Sequence, residues 1–264
     1  MPTRRQLLLR GAVSGGLAAG FGLSARAENE TAVAAVDTNP FSQLGFLRPE
    51  DDPEFGPLIS GLPLGAQTVG TEASRHEEVS RAFRILWDAP RTDNPLELAQ
   101  YFEAIQDENP NAKNASGLTA KYNEEWVGRA NPLITSFFGM TATMPSKGDQ
   151  TSWCSAFVSF VLYATGKATM LSALSGSYRK YSTATTTPEV GDIVVFRKNG
   201  DEGNQGFGHV GFFISETDDE VTVLGGNQGG STGSTGAVCQ SVYKKFGSTL
   251  TLHSYRKVKS TEFV

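Results

Sequence analysis

The chain has 264 residues, 39% of them hydrophobic and 19% charged, with a formal net charge of −5. That much apolar material excludes wholesale disorder. Three histidines and two cysteines exclude a Cys/His zinc module and a disulfide-rich scaffold, and the acidic balance sets nucleic acid aside as the main partner. No metal and no organic cofactor is expected.

Residues 1–27 read as a separate segment. Paired arginines in Thr3-Arg4-Arg5-Gln6-Leu7-Leu8 precede an apolar, Gly/Ala-rich stretch from Leu7 to Leu23, and Ala25-Arg26-Ala27 supplies the small residues that a signal peptidase reads. The segment resembles a bacterial twin-arginine export signal, which implies cleavage after Ala27 and a periplasmic or secreted mature protein. The apolar run is shorter than the ~20 residues of a membrane span and is diluted with glycine. Without the four arginines of this segment the mature chain carries 19 basic against 28 acidic side chains. It holds no second apolar run of spanning length, so no membrane span is expected of it.

Residues 28–73, with Pro40, Pro49, Pro53, Pro57 and Pro63, show little periodicity. They read as an irregular leader that wraps the domain, stays loose, or covers a cleft as an inhibitory segment. A regulatory partner is the alternative source of control.

A helical extension is expected over residues 74–118. Val79, Phe83, Leu86 and Trp87 fall at helix spacing, and Pro90 stops that helix. Pro95 suits a first turn, with Leu96, Leu98, Ala99, Phe102 and Ile105 forming a face. Asn109 to Ser116 reads as a polar connector. Pro132 to Phe138 predicts one more short helix.

The strongest helix follows Thr151-Ser152, an N-cap signal. Phe157, Phe160, Val161 and Ala164 give its buried stripe, and Gly166 ends it. The period then changes. Ile193–Phe196, His209–Ile214, Glu220–Leu224, Ala237–Tyr243 and Leu250–Tyr255 read as about five strands. Helices first and strands afterwards predict an α+β fold with an antiparallel sheet.

Cys154 falls at the start of the predicted helix, where unpaired N–H groups and the helix field favour a thiolate. A thiolate is a nucleophile that needs a nearby base, and His209, at a strand onset behind a glycine-rich loop, is the candidate. Asn227 lies at the end of the next strand, where antiparallel pairing sets it beside His209 as the group that orients the imidazole. The residue types alone leave a second reading open, in which Cys154 is a small buried hydrophobe. Trp153 either lines a substrate groove or anchors the helix to the core. Tyr178, Arg179 and Tyr181 are candidates for the cleft border. Cys239 reads as a packed thiol, and His76 and His253 as exposed.

Four stretches occur in order: Trp153-Cys154-Ser155-Ala156-Phe157-Val158, Gly191-Asp192-Ile193-Val194-Val195-Phe196, Gly208-His209-Val210-Gly211-Phe212 and Gly225-Gly226-Asn227-Gln228. Together they resemble the CHAP-like branch of the NlpC/P60 cysteine peptidase and amidase superfamily, over a domain at residues 119–258. The resemblance implies a papain-like core with a nucleophile helix on an antiparallel sheet. It implies hydrolysis of an amide bond in peptidoglycan, either by an N-acetylmuramoyl-L-alanine amidase or by a peptide-crosslink endopeptidase. It carries the nucleophile to Cys154, the base to His209 and the orienting group to Asn227, with the neighbouring Gln228 as the rival because that position varies across the superfamily. Gln150 is a candidate oxyanion donor, and Asp149 stands beside it. Two other functions fit the same scaffold: a catalytically silent protein that binds cell wall or a partner, and a thiol acyltransferase.

Overall fold

The computed structural model describes residues 75–201, 206–229 and 236–260. The stretch that reads as an export signal and the expected leader to residue 73 lie outside the described residues. The described residues belong to one compact unit.

Helix α1 (His76–Asp88) opens the described chain. Its inner face is Glu78, Ala82 and Ile85, while Phe83 and Trp87 are 67% and 77% exposed. The helix is therefore rotated from the apolar stripe that spacing predicts. The cause is Glu78, which is drawn inward by ion pairs with Arg75 at 3.1 Å and with Arg129. Helix α2 (Pro95–Glu103) follows prediction: Asn94 caps the Leu96 N–H at 3.0 Å, and Leu96, Leu98, Ala99 and Phe102 are buried.

The expected polar connector is instead a small hairpin, β1 (Glu108–Lys113) against β2 (Thr119–Lys121). It crosses the boundary expected between residues 118 and 119. Helix α3 (Pro132–Phe137) is capped by the fully buried Asn131, which also donates to the carbonyls of Tyr122 and Glu124 at 2.8 and 2.9 Å. Helix α4 (Cys154–Ala164) ends at Gly166, whose φ of +69° glycine adopts without strain.

The main sheet has six strands: β3 (Ala184–Thr185), β4 (Ile193–Lys198), β5 (Gly208–Glu216), β6 (Glu220–Gly229), β7 (Gly236–Lys244) and β8 (Leu250–Arg256). Their spatial order is β3-β8-β4-β5-β6-β7, and every neighbouring pair is antiparallel. This is the expected α+β arrangement, with the two-residue β3 as the strand beyond the predicted five.

Two apolar clusters pack against the sheet, and one of them fixes the position of α4. The larger joins Val210, Phe212, Leu224 and Val238 of the sheet to Phe157, Val158 and Val161 of α4, and to Phe102 and Phe137 of α2 and α3. Phe102, Phe137 and Phe157 meet edge to face, with centroids 5.3–6.1 Å apart. A second cluster on Val194, Phe196, Phe213, Val221 and Val223 carries Tyr243 against it. Alternation along β5 puts His209 and Phe213 on that second side and Val210 and Phe212 on the α4 side. No helix among the described residues is long and apolar enough to cross a membrane.

Candidate active site

Cys154 is the first residue of α4, and Trp153 holds the cap position with no side-chain cap of its own. The Thr151-Ser152 signal is therefore not used; the cap comes from a distant strand. The Asn227 amide is oriented so that its oxygen accepts the Trp153 backbone N–H at 3.1 Å and its nitrogen donates to Glu125 Oε1 at 3.2 Å. Glu125 also accepts from Trp153 Nε1 at 2.9 Å and from Gln150 Nε2 at 3.3 Å. One carboxylate thus ties together the loop before the nucleophile, the residue that precedes it and the end of β6.

Trp153 is fully buried against Phe137 and Phe157. It anchors the helix and does not line a groove. A Cβ on Gly226 would stand 2.4 Å from the Trp153 ring, so that backbone approach requires glycine.

Cys154 is 5% exposed, and the backbone N–H of Val210, the residue after His209, favours its thiolate form. Burial pushes the thiol up to about 11, against the lowering by the N–H groups of Val210, Ser155 and Cys154 itself. The expectation of a thiolate at rest is reversed, because loss of water outweighs the field of the helix start.

His209 is 6% exposed. Its Nε2 lies 2.7 Å from Gln228 Oε1. Gln228 Nε2 donates to the carbonyl of Val223 at 3.1 Å and to that of Cys239. Those two acceptors fix the amide, so Oε1 faces the ring and the proton must sit on His209 Nε2. Nδ1 is then the nitrogen free to take a proton. Burial lowers His209 to about 4, with the Gln228 bond opposing. At neutral pH the resting pair is a thiol and a neutral imidazole.

The group on the imidazole is thus Gln228 and not Asn227. Continuing the Phe212↔Leu224 register by three places would set Asn227 opposite His209. A register shift between Gly225 and Gln228, with Asn227 at φ +55°, breaks the alternation. The face of Val221 and Val223 passes to Gln228, and Asn227 turns to the start of α4.

Residues 146–227 match the CHAP domain family. The CHAP match spans Cys154 and His209, stops one residue before Gln228 and covers just under a third of the chain. CHAP domains are in general cysteine- and histidine-dependent amidohydrolases, and the match suggests peptidoglycan amidase or peptidase activity. Comparison with curated proteins and with solved structures returns no match.

The other candidates make no hydrogen bond to Cys154 or His209. Gln150 is exposed, with its amide nitrogen on Glu125. Asp149 is buried, and one of its oxygens accepts the N–H groups of Trp126 and Asn131 at 2.8 and 2.9 Å. Burial raises it to about 6, with those bonds opposing. Tyr178 and Tyr181 are core residues, and Arg179 is buried in an ion pair with Asp201 at 3.0 Å; none borders a cleft. Cys154 and Cys239 are both free thiols, and His76 and His253 are exposed. Among the described residues no group of three or more His, Cys, Asp or Glu could hold a metal.

Two contributors carry no motif. Glu125 reaches Trp153 across 28 positions. Tyr243 lies with its ring 5.2 Å from the His209 ring, and only the alternation Cys239, Ser241, Tyr243 along β7 marks that face.

Proposed function

We propose that the protein is an exported cysteine hydrolase that cleaves an amide bond of peptidoglycan through Cys154, His209 and Gln228. The observation that carries this reading is the pair of buried groups inside the CHAP match, the Cys154 thiol beside the base's own strand at Val210 and the His209 base, whose tautomer is fixed by the amide of Gln228 just beyond the match.

The chemistry follows from the neutral resting pair. Cys154 Sγ attacks the carbonyl carbon while its proton passes to His209 Nδ1, and the charge so formed on the ring is held by Gln228 Oε1. The carbonyl oxygen gains charge beside the Cys154 N–H, one of the orphan donors of a helix start. The C–N bond breaks as His209 returns the proton to the leaving amine. Water then attacks the thioester, giving one proton to His209 and on to the departing thiolate, and the C–S bond breaks to release the carboxylic acid, which loses its remaining proton to solvent.

The test is digestion of purified sacculi by the wild-type protein and by Cys154→Ala. Wild type should release soluble fragments that the variant does not, and mass spectrometry of the new ends identifies the bond. Release at the wild-type rate by the variant would remove Cys154 from the mechanism. The burial of both Cys154 and His209 favours one second reading, a binding protein on the same scaffold; sacculi that retain the protein without being cut would select it. Export by the twin-arginine segment belongs to the same proposal. Arg4→Lys with Arg5→Lys should hold the precursor in the cytoplasm, and normal export of that variant would overturn it.

A further inference from the structure

Tyr243 meets the base and its amide from two directions. Its ring lies against the imidazole of His209, with centroids 5.2 Å apart and planes 31° from parallel, and against Phe196 at 5.0 Å. Its hydroxyl donates to Gln228 Oε1 at 3.2 Å, the oxygen that faces His209 Nε2 at 2.7 Å. The Gln228 amide is thereby saturated: two N–H bonds go to carbonyls, and two donors converge on one oxygen. An amide oxygen shared between two donors holds each less strongly than it would hold one alone.

We propose that Tyr243 is a positioning residue for His209: its ring sets the plane of the imidazole, and its hydroxyl, by sharing Gln228 Oε1, restrains how firmly that oxygen can hold a protonated ring. The consequence for catalysis rests on the function proposed above; the effect on the imidazole does not. Such restraint suits a base that must give its proton away again, because an imidazolium held too firmly is a poor acid toward the leaving amine.

The groups around His209 make the hydroxyl's effect readable. From β4 it meets Phe196, from β6 Gln228, and from β7 Tyr243 with Cys239 on the same face behind it. The influences on its titration are burial and Gln228, with no charged side chain among the described residues contributing.

The experiment is a pH titration of histidine ring nitrogens by NMR in the mature chain. Only three histidines are present, and His76 and His253 are exposed and serve as internal controls. Tyr243→Phe keeps the ring and removes the hydroxyl. The His209 midpoint should rise by about half a unit or more, with the Nε2–H tautomer retained and the two controls unmoved. Tyr243→Leu removes the ring as well and should add exchange broadening or mixed tautomers at His209. If the fold is disturbed, the controls and the thermal midpoint report it, and labelling of wild type with 3-fluorotyrosine, a stronger donor, should then shift His209 downward. A His209 midpoint within a tenth of a unit of wild type in a folded Tyr243→Phe, or a downward shift, overturns the proposal. Because no substrate is used, a failure to cut sacculi leaves this test standing.

Discussion

Asn227 and Gln228 are adjacent in the chain, yet they serve opposite sides of the candidate site: Asn227 receives the Trp153 N–H at the start of α4, and Gln228 receives the His209 ring. A one-residue bulge lets consecutive side chains divide two duties that a regular strand would give to one face. Gln228→Ala strands both the His209 N–H and the Tyr243 hydroxyl. Release from sacculi should fall about a hundredfold or more. Asn227→Gly keeps the backbone at a φ that glycine prefers and should cost about tenfold or less. The reverse order of losses would return the orienting role to Asn227.

A buried thiol titrates late. In a Cys239→Ser background, alkylation of Cys154 should be slow at pH 7 and should climb with a midpoint near the value of about 11 that burial imposes. A plateau already reached below the ~8.5 of a free cysteine would show an activated thiolate at rest.

Acid stability should show two opposing contributions. His209 binds fewer protons folded than unfolded between about 4 and 6.5, so its contribution is lost as pH falls through that window. Asp149 is raised from 3.8 to about 6 and binds more protons folded, so its contribution is lost as pH rises through that window. Each is on the order of 3 kcal/mol, and they offset. Urea midpoints of wild type should therefore vary little between pH 4.5 and 6 from this pair, an expectation within roughly a kcal/mol. Asp149→Asn keeps the single acceptor oxygen used by Trp126 and Asn131 and should lose stability on acidification relative to wild type. A parallel pH dependence in the two proteins would contradict the assignment.

Glu125 should be structural in a graded way. Glu125→Ala leaves the buried Trp153 Nε1 without its acceptor and should cost about 1–3 kcal/mol. Glu125→Gln retains one acceptor oxygen for that indole and should recover most of the loss. Thermal midpoints of the two variants decide it; equal losses would mean that the carboxylate charge, and not the hydrogen bond, is what matters.

The parts of the fold that were legible in sequence are those with local causes. Asn94-Pro95 starts α2, Gly166 ends α4, and the apolar runs of β4 to β8 mark strands. Cys154 and His209 stand out because a helix start and a strand onset are local features. The β1–β2 hairpin was hidden because Glu-Asn-Pro-Asn-Ala-Lys has no apolar alternation; its buried positions are Asn109 and Ala112. The rotation of α1 was hidden because an ion pair with Arg129, 51 positions away, overrides the stripe. Gln228 reads in sequence only as the rival of Asn227 because a bulge defeats counting by twos. The raised thiol has no sequence signal at all, since it depends on how much water the assembled core excludes.

The position of β8 has a consequence for timing. It is the last strand among the described residues, yet it lies between β3 and β4 and supplies the partner for Val194, Val195 and Phe196, all fully buried. A nascent chain stalled at Lys245 would hold β4 with its outer edge bare, and with it the strand that neighbours His209. The sheet therefore closes only once β8 has arrived, and β4, whose Phe196 lies against His209, keeps a bare edge until then.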